Sequence, residues 1–414
     1  MPPDTARPDF PMRLSVEEAQ QRVFELGASR RLPAETVDLD DAFGRMLAED
    51  IVVPHDLPPF ANSAMDGYAL RGADLPNHGE RRFRVAGHVL AGGVPAVSIA
   101  AGECLRITTG APMPAGADTV VIKENVRLEG DAIVVGAETP GANVRPPGED
   151  YAAGDVALRS GQTLTPARLA VLASCGFARA KVARRPRIAL LTTGDELVPP
   201  DRPLGFGQIH DSNRYSLSSL LRAAGAELRL VEHLRDDPDA LRVALREAGE
   251  RCDVVISSGG VSAGEADFLP GLIAELGRVH FWKVRMRPGM PMLCGEIGGA
   301  LVFALPGNPV STIATFLVFV RRLLAVLQGD QSAPRRWHAR LAAPIEKKHD
   351  RAEFLRAVLE TRDDGSLWAT PSRKQGSGML RGVAEADALI FVPEPTAALG
   401  AGEVVEILPL PGLC

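Results

Sequence analysis

Residues 187–193 read RIALLTT, a strand-forming run that ends in Thr192-Thr193 and passes directly into Gly194-Asp195-Glu196. Outward from this stretch the sequence switches repeatedly between the two hydrophobic periods. SLSSLLRAAG (216–225), LRLVEHL (228–234), DALRVALREAG (239–249), DVVISSGG (253–260), FLPGLIAELG (268–277), HFWKVRM (280–286) and LVFALPG (301–307) follow in turn, before a long helical pattern from Pro309. Strand-helix alternation of this kind predicts a parallel sheet covered by helices on both faces. Residues 185–330 are therefore expected to form a doubly wound parallel-sheet α/β domain, with its ligand crevice outside the carboxyl ends of the strands.

The flanks read differently. Ser15 and Glu18 are spaced as a capping box, with Gly27 placed to stop the helix that follows. From about Glu49 the pattern becomes short β-rich runs, FRVAG, ECLRITTG, TVVIKENVRL and AIVVGA, punctuated by Gly and Pro, which predicts an inserted small β domain over 51–149. A helix signal returns at Thr165-Pro166 and runs through Leu172 to Gly176. It is expected to pack with the N-terminal helix, making a small helical/mixed N-terminal domain that is discontinuous, 13–50 and 150–184. HARLAAPI, EFLRAVLET, LWATP, ALIFVPE and EVVEIL predict a C-terminal β-barrel over 331–414. The architecture is then multidomain α/β plus β.

Composition narrows the function classes. A net charge of −6 and 5% aromatic residues argue against affinity for nucleic acid. The 5 cysteines are scattered and form no CxxC, which fits a reducing, cytoplasmic compartment. No apolar leader precedes Arg13, and the run Val310 to Val320 is short and interrupted by Ser311, Thr312 and Thr315, so a buried helix is expected and no membrane contact. The 8 histidines show no paired zinc spacing, and any metal is expected to take oxygen ligands.

Four strand ends run into loops dense in Gly, Pro and acid: Thr192 to Glu196, Ser257 to Asp267, Arg287 to Pro291 and Leu305 to Pro309. Glycine lets a backbone approach a ligand and present its N–H groups, and neighbouring hydroxyls add donors for an anion. Asn308, followed by Pro309 and Ser311, looks like a capped helix start whose free N–H groups favour a phosphate, although an ordinary αβ loop has the same appearance. Asp195, Glu196, Glu265 and Asp267 are expected on one rim, where like charges need a cation. Mg²⁺ held by one or two carboxylates plus substrate phosphates, or the basic group Lys283, Arg285 and Arg287, would supply it. No GxGxxG, GxxxxGK[ST] or GxSxG occurs, which leaves dinucleotide, P-loop and serine-nucleophile sites without support. In the inserted β domain, Pro58 to Ala69 is a polar turn run with one acid at its centre, and Thr108 to Asp118 has hydroxyls and glycines where a backbone could close on a ligand, although ordinary structural turns have the same appearance in both.

In order along the chain, PPFANSAMDGYA, TTGAPMPAGADTVV, PPGEDYAAGD, TTGDELV, DSNRYSL, SSGGVSAGEADF, FWKVRMRPGMP and LPGNPVS closely resemble the molybdenum insertases, the MoeA and gephyrin E-domain family. The resemblance implies a MogA-like α/β domain in an elongated four-domain subunit, a homodimer, and Mg²⁺-dependent insertion of molybdate into adenylylated molybdopterin with release of AMP. Position by position, it implies catalytic roles for Asp66, Thr109, Glu196, Asp236, Asp267, Lys283 and Arg287, with Glu196 and Asp267 at the metal. It places Asp150, Ser258, Gly259, Gly260, Ser262, Gly307, Asn308, Pro309, Arg356 and Ser377 at the cofactor, and Asp66 and Thr109 of one subunit at the crevice of the other. Transient contacts with a molybdopterin adenylyltransferase and with downstream cofactor-handling proteins are also implied. Arg287 and Met290 stand where relatives carry lysine, and Arg285 is a candidate to replace the charge missing at Met290. The alternatives are a molybdopterin adenylyltransferase consuming ATP, which the flanking domains oppose, and a non-enzymatic gephyrin-like scaffold, whose extra domain and linker are absent here.

Overall fold

The computed structural model describes residues 10–261 and 268–410. Ser262, Glu265 and Asp267 therefore lie outside the described residues. Two compact units result: Met1–Glu35, Gly44–Ala48 and Lys181–Cys414 form one, and Thr36–Phe43 with Glu49–Ala180 the other.

The first unit contains the α/β sheet. Its elements are β1 (Arg187–Thr193), α1 (Ser212–Ala223), β2 (Glu227–Leu234), α2 (Pro238–Arg251), β3 (Val254–Ser258), α3 (Leu269–Leu276), β4 (Gly277–Val284), β5 (Leu293–Ile297), β6 (Ala300–Leu305) and α4 (Pro309–Leu327), the last with a π-helical turn at Phe316–Val320. The sheet order is Met12–Leu14, β4, β5, β6, β3, β1, β2. Every neighbouring pair is parallel except those made by β5, which runs against both β4 and β6. The sequence reading passed over β5, so the sheet is mostly rather than wholly parallel.

Because successive strand residues face opposite sides, Ile188 and Leu190 of β1 enter a core with Leu217, Leu221, Phe303 and the length of α4, whereas Ala189 and Leu191 enter another with Leu241, Leu245, Leu272 and Ile273. The apolar helix α4 is mostly buried in the first of these cores. The N-terminal helix Val16–Ala28 begins with the expected capping box, Ser15 Oγ accepting from Glu18 N at 3.1 Å and Glu18 Oε2 accepting from Ser15 N at 2.7 Å. Gly27, however, does not stop this helix, because a Cβ there would lie 2.9 Å from Val326 Cγ1 of α4: it permits close helix packing. The N-terminal helix packs on α4, and the expected partner helix Pro166–Ser174 belongs to the second unit.

Still in the first unit, Trp337–Leu341, Ala352–Thr361, Leu367–Pro371, Ala388–Val392 and Val404–Pro409 close into a five-stranded barrel around Leu341, Ala357, Ile390 and Ile407. Met286–Arg287, just after β4, pairs in parallel with Ala352 and Glu353, which attaches the barrel to the rim of the α/β sheet. The second unit holds a six-stranded sheet, in the order Thr119–Ile122, Gly67–Leu70, Glu103–Ile107, Arg81–Val89, Ala132–Val135, Val126–Glu129. All four described cysteines are free and buried.

Candidate functional site

The carboxyl ends of β1, β3, β4 and β6 share one rim. Ser258 of β3 and Leu305 of β6 are the last register partners, and Gly259 N–H still donates to Leu305 O at 3.1 Å. Beyond them, Gly259 at φ +102° and Gly260 at φ +63° turn sharply over Thr193, the last residue of β1. A Cβ at Gly259 would lie 2.6 Å from Thr193 O, so no side chain fits there. Gly307 lies beside the same turn, a Cβ on it standing 3.6 Å from Gly259 Cα. The three glycines thus bring backbone from two loops together.

The helix start at Asn308 departs from expectation. Asn308 makes no side-chain cap, and the N–H of Val310 is taken by Ser377 O at 3.1 Å, from the barrel loop that follows Leu367–Pro371. Ser377 thus satisfies one of the orphan donors at that end of α4. Arg356 and Ser258, both expected to touch the cofactor, are buried, at 1% and 2% exposure. The Arg356 guanidinium donates to Gly376 O at 2.9 Å and Lys374 O at 2.6 Å, fixing the loop that carries Ser377. Burial also lowers its pKa from the ordinary guanidinium value.

On the basic side, Trp282 Nε1 donates to Val261 O at 3.2 Å, anchoring the end of β4 to the loop after β3. The Lys283 ammonium lies 4.5 Å from the centroid of the Trp282 ring, and its backbone is left-handed, at φ +64°. Arg287 faces Glu353 of the barrel at 3.6 Å and Arg285 pairs with Glu394 at 2.5 Å. Arg285 is therefore already engaged by a carboxylate, and the charge beside Met290 comes instead from Arg351, whose Nη1 lies 3.8 Å from the Met290 sulfur.

On the acidic side, Asp236 N donates to Asp195 Oδ1 at 3.4 Å, and Asp195, Arg235, Asp236 and Asp237 line an open depression at the ends of β1 and β2. Glu196 is exposed, and its carboxylate makes no hydrogen bond or ion pair among the described residues. Among those residues no three His, Cys, Asp or Glu side chains converge on a metal position.

The second unit holds the remaining acids. Asp66 Oδ1 accepts from both the N–H and the hydroxyl of Thr109, each at 2.9 Å, and Lys123 Nζ lies 3.6 Å from Oδ2. The Thr109 backbone, the Thr109 hydroxyl and Lys123 together hold the Asp66 carboxyl below its ordinary 3.8. Asp150 is exposed in the same unit, its N–H bonded to Leu57 O at 2.9 Å.

Sequence reasoning missed Lys123, Trp282 and Glu353 and gave no role to Asp211 or Asn213. Asp211 had a readable signal, an N-cap residue three before Arg214, and it does accept from Arg214 N at 3.0 Å and from Thr192 Oγ1 at 2.7 Å. Nothing local marks Glu353, whose link to Arg287 is tertiary.

Comparison with known proteins covers nearly the whole chain. The MoeA N-terminal region (domain I and II) matches residues 14–176, a probable molybdopterin binding domain matches 189–326, and the MoeA C-terminal region (domain IV) matches 338–410. A molybdopterin molybdenumtransferase of Haemophilus influenzae is 36% identical over 96% of this chain and 98% of its own. One from a Nostoc species is 35% identical over 99% and 96%. The crystal structure of a molybdopterin biosynthesis MoeA protein from Pyrococcus horikoshii superposes with a TM-score of 0.83 at 30% identity, covering 96% of this chain and all of that one.

Proposed function

The chain belongs to the MoeA family, and we propose that it is a molybdopterin molybdenumtransferase. In this reading it inserts molybdate into adenylylated molybdopterin, releases AMP and forms the molybdenum cofactor. Matches to all three family regions favour this over an adenylyltransferase, which the α/β domain alone would have suggested. We read the chain as four domains, with the N-terminal helix packed on α4 rather than on Pro166–Ser174, and as a cytoplasmic homodimer in which Asp66 and Thr109 of one subunit serve the α/β crevice of the other. Brief exchange with the preceding adenylyltransferase and with cofactor-handling proteins belongs to the same reading.

The observation that carries the reading is the rim itself: the Gly259, Gly260 and Gly307 backbone, the exposed Glu196 carboxylate and the Lys283 ammonium surround the ends of β1, β3, β4 and β6. Backbone brought close by glycine suits the pterin and phosphates of the substrate. Lys283 and Arg287 attract the molybdate oxyanion and hold it beside the dithiolene. Arg287 offers a planar fork there where an ammonium would offer a point charge. Asp236 and Asp150 bind polar edges of the substrate, while Arg356 serves through the loop that presents Ser377. Preorganised charge in the crevice then stabilises the transition state for cleavage of the phosphoanhydride, coupled to metal insertion.

Glu196 is an uncommitted hard oxygen donor of the kind that meets a Mg²⁺ carried on phosphates, with Asp267 as its expected companion. When bound, that ion would neutralise phosphate charge. Among the described residues no three His, Cys, Asp or Glu side chains enclose such an ion, which would be held mainly by the substrate's phosphates.

The test is to incubate the purified protein with adenylylated molybdopterin and molybdate, with and without Mg²⁺, and to follow AMP release and activation of an apo-molybdoenzyme. Wild type is expected to release AMP, and Lys283→Ala and Asp267→Asn to lose cofactor formation with the dimer intact. Absence of AMP release by wild type overturns the reading, and full activity in either variant removes that residue from it.

A further inference from the structure

The geometry points to Asn213 as a positioning residue that extends the β3·β6 pairing past the end of the sheet and so fixes the two glycine loops against each other. Asn213 sits in the first turn of α1 and is 8% exposed. Its Nδ2 donates to Ser258 Oγ at 2.9 Å and to Gly307 O at 2.7 Å, so both of its hydrogens are used, one on each loop. The regular ladder between the two strands ends at Ser258 and Leu305. After that step, among the described residues, only the Gly259 N–H to Leu305 O bond joins the loops through backbone.

The helix bearing Asn213 is itself fixed to the sheet. Asp211, at its N-cap, accepts from Thr192 Oγ1 at 2.7 Å, tying α1 to the end of β1. The Asp211-Ser212-Asn213 turn thus joins three of the strand ends that form the rim. Few side chains could do this: Asp has no donor when ionised, Ser has one, and Gln is a methylene longer.

Asn213 Oδ1 is buried and accepts no hydrogen bond among the described residues. A buried orphan acceptor is unfavourable and asks for an explanation. Here the residue's value lies in the two bonds it donates. Without it, Ser258 Oγ and Gly307 O would lose this donor, and among the described residues Ser258 Oγ would keep only its long 3.5 Å contact to Pro306 O.

The kinetic part of the test rests on the proposed reaction, whereas the exchange part does not. Asn213→Ala is expected to speed amide hydrogen exchange about tenfold or more in peptides spanning 257–261 and 305–309, with the barrel strands unchanged. It should also lower kcat for AMP release by about tenfold to a hundredfold. Asn213→Asp separates positioning from simple structural support. A buried carboxyl facing a carbonyl has a raised pKa, and its protonated form regains one donor. The activity of this variant relative to wild type is therefore expected to rise as pH falls from about 8 to about 6. Wild-type exchange with wild-type kinetics in Asn213→Ala, or a flat activity ratio in Asn213→Asp, overturns the inference. Where Asn213→Ala does not fold, Asn213→Asp decides. A wild-type protein that releases no AMP removes the proposed reaction and leaves the exchange measurement to decide on Asn213.

Discussion

A methyl group added at Gly259 probes the tightest point of the rim. The backbone there has φ +102°, beyond the left-handed region that L-residues tolerate, and holding Ala in such a conformation costs about 1–3 kcal/mol. The new Cβ would also stand 2.6 Å from Thr193 O and 2.7 Å from Thr193 Oγ1. Relief requires the turn to move away from β1, which strains the Gly259 N–H to Leu305 O bond, worth about 0.5–1.5 kcal/mol. The sum is about 1.5–4.5 kcal/mol. Two glycines of the same unit calibrate it. Gly365, at φ +78° with nothing within 4 Å of a Cβ, should lose only about 1–2 kcal/mol on changing to Ala. Gly271, within α3 and equally open, should gain about 0.5–1 kcal/mol. Urea unfolding followed by a signal specific to the α/β domain, together with AMP release, measures all three. A Gly259→Ala protein as stable as Gly365→Ala and fully active would refute the close packing of the glycine loop on Thr193.

Two further predictions concern the charged groups. Lys283 occupies left-handed backbone at φ +64°, a conformation that costs a β-branched residue more than glycine. Lys283→Gly should therefore be about 1–2 kcal/mol more stable than Lys283→Val by urea denaturation, with both inactive; equal stability would contradict the strain. Asp66 titrates below its ordinary 3.8 because Thr109 and Lys123 favour the carboxylate, so its stabilising contribution is present above the unfolded-state pKa and disappears as pH falls through the lower folded value. The stability difference between wild type and Asp66→Asn should shrink as pH falls through that window. In Thr109→Val the backbone N–H bond to Asp66 persists and only the hydroxyl is lost, so NMR titration should find the Asp66 pKa moved part of the way back up, and an unchanged value would remove the hydroxyl from its causes.

What could be read from the sequence was what is decided locally. The strands from Arg187 to Leu305 were legible because their alternation with helices follows hydrophobic period, and Ser15 because a capping box spans one turn. β5 was missed because Leu293–Ile297 follows the turn run RPGMP and is broken by Gly295, so it reads as loop until its neighbours pair with it. Gly27 looked like a helix stop until Val326 met it from almost 300 residues away. Ser258 and Arg356 carry groups that commonly touch ligands, and only burial reveals that both bond inward. The Asn308 helix start had the right residue types for an anion, but no local pattern could show that a carbonyl of the barrel loop had already taken the N–H of Val310.

The same distinction bears on which cation is available to an incoming oxyanion. Arg285 and Arg287 each face a carboxylate, Glu394 and Glu353, and the charged neighbours at Lys283 are different. Among the described residues Lys283 has no acidic partner, and its ammonium rests on the face of Trp282. A half-exposed ion pair and an exposed cation–π contact are each worth about 1 kcal/mol or less net, so the difference lies in the neighbour's charge: a carboxylate repels an incoming anion and a neutral indole does not. An oxyanion drawing on an arginine of this rim must compete with a fixed carboxylate, but one drawing on Lys283 displaces only a weak ring contact. The indole therefore holds the ammonium in place without neutralising it, and the Nε1 bond of the same indole to Val261 O keeps that charge beside the glycine loop.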